Sequence, residues 1–177
     1  MPFLLTAPPG TGKTTVVRRL VGLLQAEGVP VGGFVTHEMR EHGRRVGFTV
    51  EEIGGSSAVM AHVSWTSGPR IGRYRVDLAA FERVALPAVG RAMGGAGAVI
   101  VIDELGPMEL MSPTFVTRLD TLFSVGTPLL ATVHQGAHLV TDALKARPDV
   151  ELIAVTVENR DQLPASLSRS LVDCGHL

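Results

Sequence analysis

An apolar run, Pro2 to Thr6, leads into Ala7-Pro8-Pro9-Gly10-Thr11-Gly12-Lys13-Thr14-Thr15, and that stretch opens directly into an apolar-periodic segment. Strand, glycine-rich turn and helix in immediate succession form a cradle whose backbone N–H groups converge on phosphate oxygens. The helix starting near Gly12 adds the positive end of its dipole. Lys13 supplies a mobile charge for β- and γ-phosphates, and the Thr14 hydroxyl is a candidate Mg²⁺ ligand. Ala7 stands where such a loop usually begins with Gly, which is acceptable provided its φ is negative. Of the 16 cationic residues only Lys13 and Lys145 are lysine. One of them therefore sits where a slim ammonium fits and a planar guanidinium does not.

At 177 residues a single domain, 1–177, is expected, large enough for a full core. Apolar residues make up 45% and the net charge is −1, so no global field recruits nucleic acid or acidic membranes. Nucleic acid is not indicated as a partner, although it stays open as a phosphoryl acceptor. Cys174 is the only cysteine, so no internal disulfide forms and a reducing cytoplasm fits. It is expected to be a surface or packing residue. The first residues lack a basic region, and no apolar stretch reaches the ~18 residues of a membrane span. A monomer with a nucleotide as its partner is expected.

Val16, Val17, Leu20, Val21 and Leu24 recur at helical spacing, with Gly28 as the stop. Val31 to His37 reads as a strand, residues 38–45 as a polar turn, and Val46 to Val50 as a half-buried strand, giving a hairpin near His42-Gly43. A short strand near Ala58 to Val63 follows, then a loop from Ser64 to Arg75. Asp77 caps a helix in which Pro87 predicts a kink or break. Ala98 to Ile102 is a strand covered on both faces. Ser112-Pro113 opens a helix. Pro128 to Val133 is a buried strand, and a short helix follows from about His138 to Ala146. Val150 to Val157 is a strand, and Asn159 is expected to cap a last helix carrying Leu163, Leu167 and Leu171. Alternating strands and helices imply a three-layer α/β fold with a mostly parallel sheet and an antiparallel hairpin appendage. Ligands on such sheets bind beyond the carboxyl ends of the strands.

Asp103-Glu104 ends the buried strand at that edge. Asp103 is the expected Mg²⁺ holder, and Glu104 the group that orients the attacking water or takes its proton. His134, leaving the strand Leu129 to Val133, can sense the γ-phosphate or the water, or can be simply a polar residue at a strand end. Arg40, Arg44, Arg45, Arg70, Arg73 and Arg75 include candidates for an arginine that neutralises transition-state charge, against a solvated surface role. Asn159 and Arg160 follow the last strand, where Asn159 can bond a base edge and Arg160 can stack on the base. Trp65 and Tyr74 can stack on a ligand or simply pack. Guanine specificity is rejected, because Asn159-Arg160-Asp161-Gln162 has Gln where a guanine-reading motif has Asp.

Pro8 to Thr15, Gly32-Gly33-Phe34-Val35-Thr36, Arg44 to Phe48, Ile71-Gly72-Arg73-Tyr74, Phe81-Glu82, Leu86-Pro87, Ile102 to Leu110, Ala131 to His134 and Asn159-Arg160-Asp161 occur in that order. Together they resemble the small P-loop nucleoside-triphosphatase family. The resemblance implies a RecA-like P-loop core and Mg²⁺-dependent hydrolysis of several nucleoside triphosphates, ATP and GTP among them, to diphosphate and phosphate. It makes Lys13 and Thr14 ligands of phosphate and Mg²⁺, and Asp103 and Glu104 the metal holder and catalytic carboxylate. Two departures are Ala7 in place of the first loop Gly and Gln135 where a basic residue is expected after the histidine. Two alternatives use the same loop: a nucleotide or polynucleotide kinase with a hydroxyl acceptor, and a nucleotide-gated binding module. The chain lacks the Arg-rich lid insertion of nucleoside-monophosphate kinases, and a carboxylate directly after Asp103 suits water activation.

Overall fold

Alternate residues of the first strand enter two different cores. Leu4 joins one, Phe3 and Leu5 the other, and all three are buried. A strand buried on both faces needs helices above and below it. The computed structural model describes residues 1–175, and the side chain of Cys174 lies outside what it describes. In chain order the elements are β1 (Phe3–Thr6), α1 (Lys13–Ala26), β2 (Val31–Glu41), β3 (Arg44–Glu52), β4 (Ser57–His62), β5 (Arg70–Ile71), β6 (Tyr74–Val76), α2 (Leu78–Gly94), β7 (Val99–Leu105), a one-turn helix (Glu109–Met111), α3 (Pro113–Leu122), β8 (Leu129–Val133), α4 (Leu139–Lys145), β9 (Glu151–Ala154) and α5 (Leu163–Gly175).

Among the described residues the strands form one sheet in the order β5-β6-β4-β3-β2-β7-β8-β1-β9. The run from β2 to β9 is parallel, as the alternation of elements requires. On one face α1 and α5 bury Val16, Val17, Leu20, Leu24, Leu167 and Leu171 against Phe3, Leu5, Val99 and Val101. On the other, α2 and α3 bring Phe81 and Phe115 onto Phe34. The three rings meet edge-on with centroids 5.1 to 5.6 Å apart, the arrangement their quadrupoles favour.

The flanking hairpin is present and continuous with the sheet. β2 pairs in parallel with β7 as far as Val35, opposite Asp103, and then runs on to Glu41 paired with β3. The polar turn narrows to His42 and Gly43, at φ 48° and 77°. That left-handed pair matches the twist of two antiparallel strands, so the residues on either side remain in the ladder. The segment 64–75 is not wholly loop, since β5 and the start of β6 lie in it. α2 is unbroken through Pro87. The ring removes one helical hydrogen bond, but Ala85, Ala88 and Val89 around it are buried and hold the helix together. β9 is shorter than the apolar run suggests, and α5 begins at Leu163, so Asn159 does not cap it.

Candidate active site

The turn between β1 and α1 places Gly12 at the N-cap of α1 with φ 113°, a conformation that disfavours any side chain. Ala7 is buried and is not among the positive-φ residues, which satisfies the condition for replacing the usual glycine. The start of α1 has no side-chain cap and no acid in its first turn. Its leading N–H groups therefore remain available to an anion. The Thr11 hydroxyl donates to Pro8 O at 2.9 Å and holds the turn. Lys13 Nζ donates to Ala7 O at 2.9 Å, folded back across its own loop. Arg160 Nη1 donates to Thr11 O at 3.2 Å, bringing the loop after β9 against the turn.

β7 and β8 fall out of step next to this turn. Ile102 pairs with Ala131 and Leu105 with Val133, so Asp103 and Glu104 together oppose Thr132. Two residues against one is a β-bulge, common where a strand must re-aim a side chain. The consequence shows in the cores. Leu105 packs in the same cluster as Ile100 and Ile102, whereas unbroken alternation would have sent it to that of Val99 and Val101.

Asp103 is 2% exposed. Its Oδ1 accepts from Thr132 Oγ1 at 2.6 Å, while Oδ2 is buried with no hydrogen-bond partner among the described residues. Burial pushes its pKa up, against hydrogen bonding from Thr132 and Thr14 and the charges of Lys13 and Arg18. Glu104 is partly buried, and its pKa is raised by that burial and by Asp103, with Lys13 and His134 pulling it down. Lys13 and Thr14 from the P-loop, Asp103 and Glu104 from the bulge, and His134 beyond β8 thus act on one another across one edge of the sheet. Gly136 lies so close to the His134 ring that a Cβ there would stand 2.1 Å from Cε1.

An unpartnered buried carboxylate oxygen beside the Thr14 hydroxyl fits a Mg²⁺ ion. Among the described residues no three His, Cys, Asp or Glu side chains form a metal cage. Mg²⁺ bound between one carboxylate, substrate phosphates and water needs none.

Other expected residues lie elsewhere or are already engaged. Asn159 Oδ1 accepts from Thr156 N–H at 2.8 Å and Nδ2 donates to Ala154 O at 2.8 Å, so its amide ties the loop after β9. Arg45 bonds Glu38 and Tyr74, Arg40 bonds Glu38, and Arg73 bonds Tyr74 and the Arg45 carbonyl. Arg70 and Arg75 bond backbone carbonyls of Gly72 and Gly68. Tyr74 packs edge-on against Phe48, and Trp65 lies beside His62. Two residues without an expected role come to the fore. Thr132 is the single polar residue in the apolar strand Leu129 to Val133, and that isolation was its signal. Glu109 is an acid set between Met108 and Leu110, buried behind Glu104.

The model of the NTPase family matches residues 2–168. The chain belongs to this family. It is 44% identical over 172 residues to nucleoside-triphosphatase THEP1 of Thermofilum pendens, covering 96% of this chain and 94% of that protein. It is 41% identical to the human cancer-related nucleoside-triphosphatase, with 90% of each covered. The crystal structure of THEP1 from Aquifex aeolicus superposes with a TM-score of 0.85 at 30% identity, covering 97% of this chain and 99% of that one. The solution structure of the human enzyme superposes with a TM-score of 0.81 at 38% identity, covering 97% of both chains. Fold and family therefore agree with the resemblance carried by the motifs.

Proposed function

We propose that this chain hydrolyses nucleoside 5′-triphosphates, ATP and GTP among them, to nucleoside diphosphate and phosphate at the turn between β1 and α1. The observation that carries this is the bulge at Asp103 and Glu104, which sets one unpartnered carboxylate oxygen and one pKa-raised carboxylate beside Lys13 and Thr14. The N–H groups of the turn take the phosphate oxygens, and Lys13 exchanges Ala7 O for the β- and γ-phosphates. Thr14 and Asp103 would hold Mg²⁺, which when bound withdraws charge from those phosphates. Glu104 accepts a proton from water as the water oxygen bonds the γ-phosphorus. The bond from that phosphorus to the bridging oxygen breaks, and the electron pair leaves with the diphosphate. A carboxylate with a raised pKa is the better base near neutral pH. His134 acts electrostatically on Glu104, and in this reading it senses the γ-phosphate or the attacking water.

Arg160, held on the P-loop carbonyl, offers its guanidinium plane to the base, whereas Asn159 supports the loop rather than reading a base edge. A site furnished with few base-reading groups suits several bases. Among the described residues no helix is long and apolar enough to cross a membrane. A monomer in a reducing cytoplasm, acting as one domain over residues 1–177, completes the proposal. Transfer to a hydroxyl acceptor is not favoured, since relatives across most of the chain are named nucleoside-triphosphatases.

The test compares phosphate release with label transfer to nucleosides, monophosphates and 5′-hydroxyl RNA. Phosphate release without an acceptor is expected, lost in Glu104→Gln while nucleotide binding persists. Transfer exceeding release, or undiminished turnover in Lys13→Ala, overturns the proposal.

A further inference from the structure

Glu109 is a buried acid that the hydrolytic scheme does not use. It opens the one-turn helix after β7 and is 6% exposed. Its Oε2 accepts the Gly106 N–H at 3.1 Å. Leu110 N–H returns to Gly106 O at 3.1 Å, and Ser112 N–H to Glu109 O at 3.2 Å, so the segment after Glu104 is a closed, bonded turn. Gly106 fills the space between two acids. A Cβ there would stand 2.9 Å from Glu109 Oε2 and 3.5 Å from Glu104 Cγ and Cδ. The Glu104 side chain thus lies against Gly106, the residue whose N–H Glu109 holds.

We propose that Glu109 is the positioning residue for Glu104: its carboxyl pins the Gly106 peptide against which the Glu104 side chain is seated for proton transfer from water. This rests on the assignment of Glu104 proposed above.

Burial pushes Glu109 up to about 8, with the charges of Glu104 and Asp103 adding to the effect. At neutral pH it is therefore a neutral carboxyl and puts no second negative charge behind the base. Glu82 of α2 accepts from Ser112 Oγ at 2.5 Å, and Arg118 and Asp120 of α3 are exposed. Above its pKa the ionised Glu109 faces Glu104 across one peptide, and repulsion moves the base from its seat.

The experiment measures phosphate release at saturating Mg²⁺-ATP between pH 6 and 9 for wild type, Glu109→Gln, Glu109→Ala and Glu104→Gln, with binding of a fluorescent ATP analogue alongside. Displacing a reacting group by about 1 Å can cost roughly 10²-fold. Glu109→Ala is therefore expected to lose at least about ten-fold in kcat, with the analogue's Kd changed less than about three-fold. Glu109→Gln keeps the acceptor for the Gly106 N–H without a titrating proton. It is expected to retain kcat near pH 7 and to lack the fall near pH 8 that is expected of wild type. A wild-type kcat in Glu109→Ala, or a parallel loss of binding and turnover, overturns the proposal. Should Glu109→Ala fail to fold, the profile of Glu109→Gln decides, and an alkaline fall that persists there overturns the proposal. Full turnover in Glu104→Gln refutes the assignment of Glu104 itself, whereas an inactive Glu104→Gln beside a fully active Glu109→Ala refutes only the role given to Glu109.

Discussion

Thr132 and Asp103 are bonded to each other and both are buried, so the hydroxyl is not simply exchanged for bulk solvent when it is removed. Thr132→Val keeps the shape and removes the 2.6 Å hydrogen bond to Asp103 Oδ1. A buried group that loses a hydrogen-bond partner costs about 1–3 kcal/mol. A fall of that size in the urea unfolding free energy of the ligand-free protein is expected, and no change would show that the bond contributes nothing. Glu109 makes a second prediction at this scale. It keeps its proton in the folded chain up to about pH 8, while an unfolded chain releases it near the ordinary value of 4.5. Between those values the folded state binds more protons, so stability falls as pH rises, by up to about 1.4 kcal/mol per pH unit from this one group. Glu109→Gln is expected to flatten the dependence of unfolding free energy on pH across that window, and an unaltered slope contradicts the burial of a neutral acid.

Helix α2 shows how neighbours overrule a local rule. Pro87 lies on the exposed face of the helix beside Arg83, Gly90 and Arg91, and the helix runs through it because Ala85, Ala88 and Val89 are held in the core. The missing hydrogen bond remains a cost. Pro87→Ala is expected to raise stability by about 1–3 kcal/mol, read from the urea midpoint at constant slope. A loss of stability would mean that the ring makes packing contacts worth more than the hydrogen bond. The β2–β3 hairpin is the converse case. Its residues 38–41 and 44–45 are polar enough to suggest a loop, yet they stay paired because the left-handed turn at His42 and Gly43 lets the ladder continue to its tip. Loop chemistry was visible in those residues. The pairing that satisfies their backbone groups belongs to the partner strand and could not be seen locally.

At the scale of the whole molecule, nucleotide and protein stability are linked. A ligand that binds only the folded chain stabilises it by about 2.7 kcal/mol at a hundred times its Kd. A non-hydrolysable ATP analogue with Mg²⁺ is expected to raise the melting temperature, and removal of Mg²⁺ by a chelator to reverse much of that rise. A rise of equal size in Lys13→Ala would separate nucleotide binding from this loop. The glycine-rich turn between strand and helix, the order of strands and helices, and the carboxylates at a strand end were all legible in the chain, because each rests on residues adjacent to one another. The sequence by itself determined a parallel α/β core and the residues placed at its carboxyl edge. Tertiary structure decided what those residues face. The bulge at Asp103 and Glu104 exists only against β8, the free oxygen of Asp103 only because Thr132 takes the other, and the loop-tying role of Asn159 only where β9 ends. Local periodicity records which side of an element is apolar. Register, burial and the partner of a polar atom are set by segments distant in the chain.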